Sequence, residues 1–185
     1  MHQDQPSLAV KAGYDAEAFA ALYDRYYRRV YTYIRYRCDD DKTVEDLTAR
    51  VFEKLLVSIA SYCPDQAPFE AWLFGIVRHV VGDHLRWQQL NTWLPWEALL
   101  NRPAPETLPE DLAAQQDLET RLASLLPRLK TQERDLIGLK YAGGLTNRQI
   151  AALVGLTEQN VAVILFRAIE KLRRSMIGQV EEGRE

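Results

Sequence analysis

Cysteine is scarce in this chain of 185 residues: two are present, Cys38 and Cys63, with no Cys-x-x-Cys. That is too few for a disulfide scaffold, and the spacing does not suit a zinc cluster. Long apolar runs are lacking as well. The longest, residues 161–166, has six residues, where a membrane span needs about 20. The first residues hold Asp4 and no apolar stretch, so no secretory signal is expected. The chain reads as cytoplasmic, without membrane insertion. Proline is absent between Pro6 and Pro64, so nothing interrupts a long helix there. Alternating strand patterns of useful length are missing, which leaves an all-α class. An excess of positive charge is missing too. Lys and Arg total 23 against 26 Asp and Glu, a net charge of −3, which alone argues against a generic nucleic-acid binder.

The distribution of that charge says more than its sum. Residues 91–126 carry two basic and six acidic side chains, whereas residues 127–185 carry ten and seven. A basic final third is the footprint expected of a local nucleic-acid surface. Pro95, Pro103, Pro105 and Pro109 cluster in the acidic stretch, which reads as a linker. The organisation expected is two helical domains, residues 14–90 and 117–178, joined by a proline-containing acidic linker over 91–116. In the first, Phe19, Leu22, Tyr26, Val30 and Ile34 stripe one helix. Val44, Leu47, Val51 and Leu55 stripe another, with Thr43 as its N-cap. Phe69, Trp72, Leu73, Ile76, Val77, Val80 and His84 stripe a third, after a loop over 61–68 with two prolines.

In the second domain, Leu118, Leu122 and Leu125 stripe a helix that stops at Pro127. Thr131 is placed to cap the next, which carries Leu136, Ile137 and Tyr141 and ends at Gly143-Gly144. The most specific stretch follows. Thr146-Asn147-Arg148-Gln149 is a capping box, Ile150, Leu153 and Val154 follow, and Gly155 supplies a left-handed turn. Thr157 then caps a helix striped by Val161, Leu165, Ala168 and Leu172 and ending in Lys171, Arg173 and Arg174. A short helix, a glycine turn and a longer helix make a helix-turn-helix, for which DNA is the expected ligand. An ordinary helical hairpin has the same outline.

Three ordered motifs resemble the sigma factors of bacterial RNA polymerase. Residues 39–55, centred on Glu45-Asp46-Leu47, resemble conserved region 2.2. Phe69-Glu70-Ala71-Trp72-Leu73 to His79 resembles regions 2.3 and 2.4. Leu126-Pro127 to Arg134, with Leu145 to Ala151, resembles region 4. With only regions 2 and 4 present, the resemblance is to the extracytoplasmic-function (ECF) group. It implies a factor that gives core RNA polymerase, through its β and β′ subunits, promoter recognition and strand opening. Such a protein is not itself an enzyme and needs no cofactor or metal.

The resemblance also implies residue roles. Docking on the β′ coiled coil would fall to Glu45, Asp46, Leu47, Arg50, Val51, Glu53 and Lys54, mixed charge around a small apolar centre. A solvated helix face with Glu–Lys pairs explains the same pattern. The −10 strand would be held by Tyr62, Phe69, Arg78, His79, Asp83, Arg86 and Trp87, since unpaired bases need stacking surface and phosphates need cations. Trp72 lies on the apolar stripe and reads as core. The −35 duplex would be read by Arg148, Thr157, Gln159, Asn160, Val163 and Arg167. Glu97, Glu106, Glu110 and Asp111 of the linker would stand in for phosphates along the polymerase cleft, although a solvated tether has the same composition.

The recognition helix departs from the family, with Ala162 and Ile164 where cations are usual and Val163 and Phe166 on the outward face. Such a face suits a protein partner, an anti-sigma factor or an activator, as well as a groove. Two rival classes stay open. One is a stand-alone helix-turn-helix regulator. The other is a metal-dependent nucleic-acid enzyme using His79, Asp83 and His84, although no third convergent ligand completes that set.

Overall fold

The computed structural model describes residues 5–91 and 125–182. The linker acids and the Leu118 and Leu122 stripe lie outside them. Seven α-helices make up the described residues, with no strand among them. The first lobe opens with a helix the periodicity did not reveal, α1 (Gln5–Lys11). It begins before residue 14, and Ala9 and the following Ala12 are buried in the core. Asp15 then caps α2 (Ala16–Arg35), its carboxylate accepting from Glu17 N at 2.9 Å. Leu22, Tyr26, Val30 and Ile34 are buried as the stripe requires, and Tyr33 joins them.

The cap of α3 (Asp41–Ser58) is Asp40, not Thr43. Its carboxylate accepts from Thr43 N at 2.8 Å, because an N-cap side chain reaches the amide three residues on. Those hydrogen bonds from Thr43 hold the Asp40 carboxyl below its usual range. After a 3₁₀ turn (Ile59–Ser61) and a loop comes α4 (Phe69–Asn91). Here the buried arc is rotated from the expected stripe. Phe69, Leu73 and Val77 are buried, but so are Phe74 and Val81, while Ile76, Val80 and His84 are only half-buried. The rotation has a cause: α4 packs on the first lobe and on the second lobe together.

The second lobe starts with a 3₁₀ turn (Leu126–Arg128) carrying Pro127. The N-cap of α5 (Thr131–Ile137) is Lys130 rather than Thr131. Glu133 accepts from Lys130 N at 2.9 Å, so the side chain at N3 satisfies the orphan amide that Thr131 lies too late to serve. The helix runs on as a π turn (Gly138–Ala142) before Gly144, at φ 62°, releases the chain. The capping box at Thr146 and Gln149 is present at the head of α6 (Asn147–Val154), with Gly155 left-handed at φ 72°. Thr157 Oγ1 accepts from Asn160 N at 3.2 Å at the head of α7 (Glu158–Glu182). Lys171, Arg173 and Arg174 lie within α7 rather than at its end.

The lobes dock along α2. Asp135 of α5 is buried, and its carboxylate accepts Tyr33 Oη–H at 2.5 Å and pairs with Arg37 at 2.7 Å and Arg78 at 2.9 Å. Arg29 donates from Nε to the Ala142 carbonyl at 3.2 Å, and its Nη2 donates to the Gly143 carbonyl. Gly138 lies flush on the Tyr33 ring, where a Cβ would stand 2.6 Å from Cδ2. Gly75 of α4 faces Leu153 of α6.

Glu133 also links α5 to α7, accepting from Lys171 Nζ at 2.5 Å. Burial would raise its pKa, but the hydrogen bonds from Lys171 and the Lys130 amide outweigh burial and depress it. A depressed carboxyl stabilises the fold above its unfolded pKa of about 4.3 and loses that contribution as pH falls through the folded value. Urea titrations across that acid range should show the native protein losing about 1 kcal/mol more than Glu133→Gln.

Candidate nucleic-acid interface

Each sequence-derived surface now has a position. On α3, Glu45, Asp46, Arg50, Glu53 and Lys54 are exposed together. Leu47 and Val51 are not among them. Both are buried in the first-lobe core, at 2% and 0% exposure, so neither is free to form the apolar centre of a docking face. Apolar surface beside those charges comes instead from Leu56 and Val57, exposed on the C-terminal half of α3. A groove between α3 and α4 joins Arg50, Lys54 and Val57 to Asp83 and Trp87. The sequence reading also missed an aromatic rail. Tyr23, Tyr27 and Tyr31 recur every four residues on α2, and Tyr23 and Tyr27 lie 4.5 and 6.3 Å from the Phe52 ring of α3. That spacing of four was the available signal.

The residues proposed for the −10 strand divide into two groups. Phe69 is buried at 2% and packs on Tyr26 and Tyr62 at 5.3 Å. Tyr62 is buried at 8%, with Oη–H donating to the Ala67 carbonyl at 3.2 Å. Neither presents a ring for a base to stack on. They anchor the two ends of the loop, because a proline-framed loop has few backbone hydrogen bonds of its own and aromatic packing fixes it. Trp72 sits half-buried against both rings.

The second group is on α4. His79, Asp83, Arg86 and Trp87 are exposed along one side. Asp83 accepts from Arg86 and lies 3.1 Å from His79 Nε2. The hydrogen bond from Arg86 holds the Asp83 carboxyl below its usual range, with His79 and Arg86 charge adding to it. His84 is not part of that pair. No group of three His, Cys, Asp or Glu suited to a metal occurs among the described residues. Arg78 faces the second lobe, paired with Asp135.

On the helix-turn-helix, Arg148, Thr157, Gln159, Asn160 and Arg167 are exposed, as are Val163 at 46% and Phe166 at 66%. Ile164 is half-buried against the core. The outward face of the first three turns of α7 therefore carries two amides, one cation and two apolar side chains. Amides in the first turn of a recognition helix are placed to bond adenine edges.

The loop anchors give a direct test. Phe69→Ala should cost about 3–5 kcal/mol in chemical denaturation, so its loss of function would be loss of fold. Tyr62→Phe should leave the melting temperature within a few degrees and release only the loop.

Comparison with known proteins bears on the family. The Sigma-70 region 2 family model matches residues 22–90, and the Sigma-70, region 4 model matches residues 119–172. The ECF RNA polymerase sigma factor BldN of Streptomyces coelicolor is 31% identical over 86% of this chain, which spans 61% of that relative's length. The ECF RNA polymerase sigma factor ShbA of Streptomyces griseus is 31% identical over 70% of each chain. Among solved structures, CnrH in complex with the cytosolic domain of CnrY aligns over 95% of this chain and 99% of its own at 24% identity, with a TM-score of 0.70, a likeness of fold. The chain belongs to the ECF group of sigma-70 family RNA polymerase sigma factors.

Proposed function

We propose that this chain gives core RNA polymerase its promoter choice and strand opening, acting in the cytoplasm as a binding factor while the polymerase carries out nucleotidyl transfer. The observation that carries this reading is the set of three surfaces in one chain. These are an exposed mixed-charge face on α3, a cationic and aromatic side on α4, and a doubly capped helix-turn-helix. Residues 14–90 would dock on the β′ coiled coil and engage the −10 strand, with α1 part of the same unit. Residues 117–178 would reach the −35 element, and residues 91–116 would connect them. Run-off transcription from genomic fragments with core polymerase tests the reading, and no promoter-specific transcript would sink it.

The docking face would be Glu45, Asp46, Arg50, Glu53 and Lys54, with Leu56 and Val57 beside them. Exposed charges contribute little to folding. Reversing both Asp46 and Arg50 should therefore weaken competition for core polymerase at least several-fold, with circular dichroism unchanged. Unaltered competition would remove α3 from the interface. On α4, Arg86→Ala should weaken single-stranded DNA binding for all sequences and flatten its salt dependence by about 0.7 in log–log slope.

The exposure of Val163 and Phe166 favours a second occupant for α7, an anti-sigma factor or activator. An exposed Phe beside a Val is a protein-binding surface more often than a groove reader. Ala162→Lys should tighten binding to the −35 duplex without loss of stability, because it adds a phosphate contact on an exposed position. Strong −35 affinity in the unmodified chain would count against the protein partner.

A further inference from the structure

Between α4 and the second lobe lies a cleft of about 560 Å³. Arg37, Arg78, Arg86 and Arg134 line it, with His79 at its edge and Asp135 as the single acid in its lining. Two of these guanidinium groups share that one carboxylate. Arg37 takes Oδ1 and Arg78 takes Oδ2, while Tyr33 adds a third donor to Oδ1. The Arg37 side chain is 8% exposed, and Arg134 Nε is buried without a partner among the described residues. Arg86 pairs with Asp83 outside the lining, so three guanidinium groups face one carboxylate and leave the cleft short of negative charge. Forked donors converging on a planar anion are also the arrangement that recognises phosphate.

We propose that Arg37 and Arg78 form a phosphate-binding pair for the melted promoter strand, and that Asp135 occupies this pair in the docked chain as an internal stand-in for DNA phosphate. The proposal rests on the assignment of α4 to the −10 strand and adds Arg37 from the turn after α2, which faces the same anion. It makes docked lobes and bound promoter mutually exclusive. Dimensions lead to the same conclusion. Elements 25 base pairs apart lie about 85 Å apart at about 3.4 Å per pair, whereas a compact chain of this length is about 40 Å across. The lobes must part to reach both elements. The 33 residues between Asn91 and Leu125 can span up to about 110 Å. Parting them releases Arg37 and Arg78 from Asp135 as the strand arrives.

The test uses the full chain without polymerase, so it is independent of whether transcription is observed. The probe is a fluorescein-labelled oligothymidylate of about 20 nucleotides, which reports backbone binding alone. The lobe separation is read in parallel as the radius of gyration from small-angle X-ray scattering. Two variants open the latch by different means. Asp135→Asn removes the competing charge, and Gly138→Val drives a side chain into the Tyr33 ring while leaving every charge in place. Both should expand the particle and tighten oligothymidylate binding about tenfold, the scale of removing a charged competitor. The log–log salt dependence should steepen by about 1.4 for two freed cations. Adding Arg37→Ala or Arg78→Ala to Asp135→Asn should each cancel most of the gain. Expansion with unchanged affinity would show that the pair does not bind phosphate. Folded variants that stay compact with unchanged affinity would show that Asp135 is not the latch. A gain that survives Arg37→Ala would remove Arg37 from the site.

Discussion

The contact between the two lobes centres on one buried carboxylate. Asp135 has all three of its polar partners, Tyr33, Arg37 and Arg78, on the opposite lobe. Breaking a buried ion pair from one side costs about 3–5 kcal/mol, because the remaining charge is left without compensation. None of these three donors belongs to the helix that carries Asp135, so that cost bears on the contact between lobes rather than on the fold of either. Burial and the neighbouring Asp135 charge raise the Tyr33 hydroxyl well above its ordinary pKa. It therefore stays a donor across the physiological range.

The backbone around Asp135 is shaped to let the approach happen. The π turn at Gly138–Ala142 inserts an extra residue per turn, seen in Gly143 N donating to the Gly138 carbonyl at 2.9 Å. Its first residue carries no side chain, and the Tyr33 ring fills that place. Its last carbonyls lack helical partners, and Arg29 supplies the donors. A cation at the carbonyl end of a helix is favourable on electrostatic grounds as well. The Arg29 guanidinium also lies 5.0 Å from the Tyr26 ring centroid and 5.8 Å from that of Phe74. One side chain thus joins α2, α4 and the π turn.

What was legible in the sequence is what short range decides. The stripes of α2, α3 and α7 and the caps at Thr146, Gly155 and Thr157 depend on neighbours within one or two turns, and each stands as the pattern indicates, except that Phe19 of α2 is half-buried. Most of the misses have longer reach, but two are local. Thr43 and Thr131 look like caps by residue type, but Asp40 and the Glu133–Lys130 bond serve those helix ends. Phe74 is buried between the Tyr33 ring and Gly143 because α4 serves two lobes, which a single-helix pattern does not contain. Phe69 and Tyr62 are aromatic beside a loop, and only packing tells an anchor from a stacking platform. The Tyr33–Asp135 and Arg78–Asp135 bonds join residues 102 and 57 positions apart, and no local spacing announces them.

Net charge misleads for a related reason. A chain at −3 can still hold a cationic cleft, provided that part of its charge is paired when nucleic acid is absent. Buried guanidinium groups cannot be deprotonated at any ordinary pH, so a cleft that closes over them must bring its own anion. Asp135 does this at the cost of one acidic residue in the basic second lobe. Because the same carboxylate joins the lobes, neutralising the cleft and closing the chain become one event. A surface lysine patch would need no such partner and would stay open to any polyanion. Under the proposed latch, pairing Arg37 and Arg78 with an internal carboxylate instead reserves them for a competitor that supplies more contacts than Asp135 alone. Under that proposed latch, a promoter strand held at both lobes would have that advantage, and a stray phosphate would not.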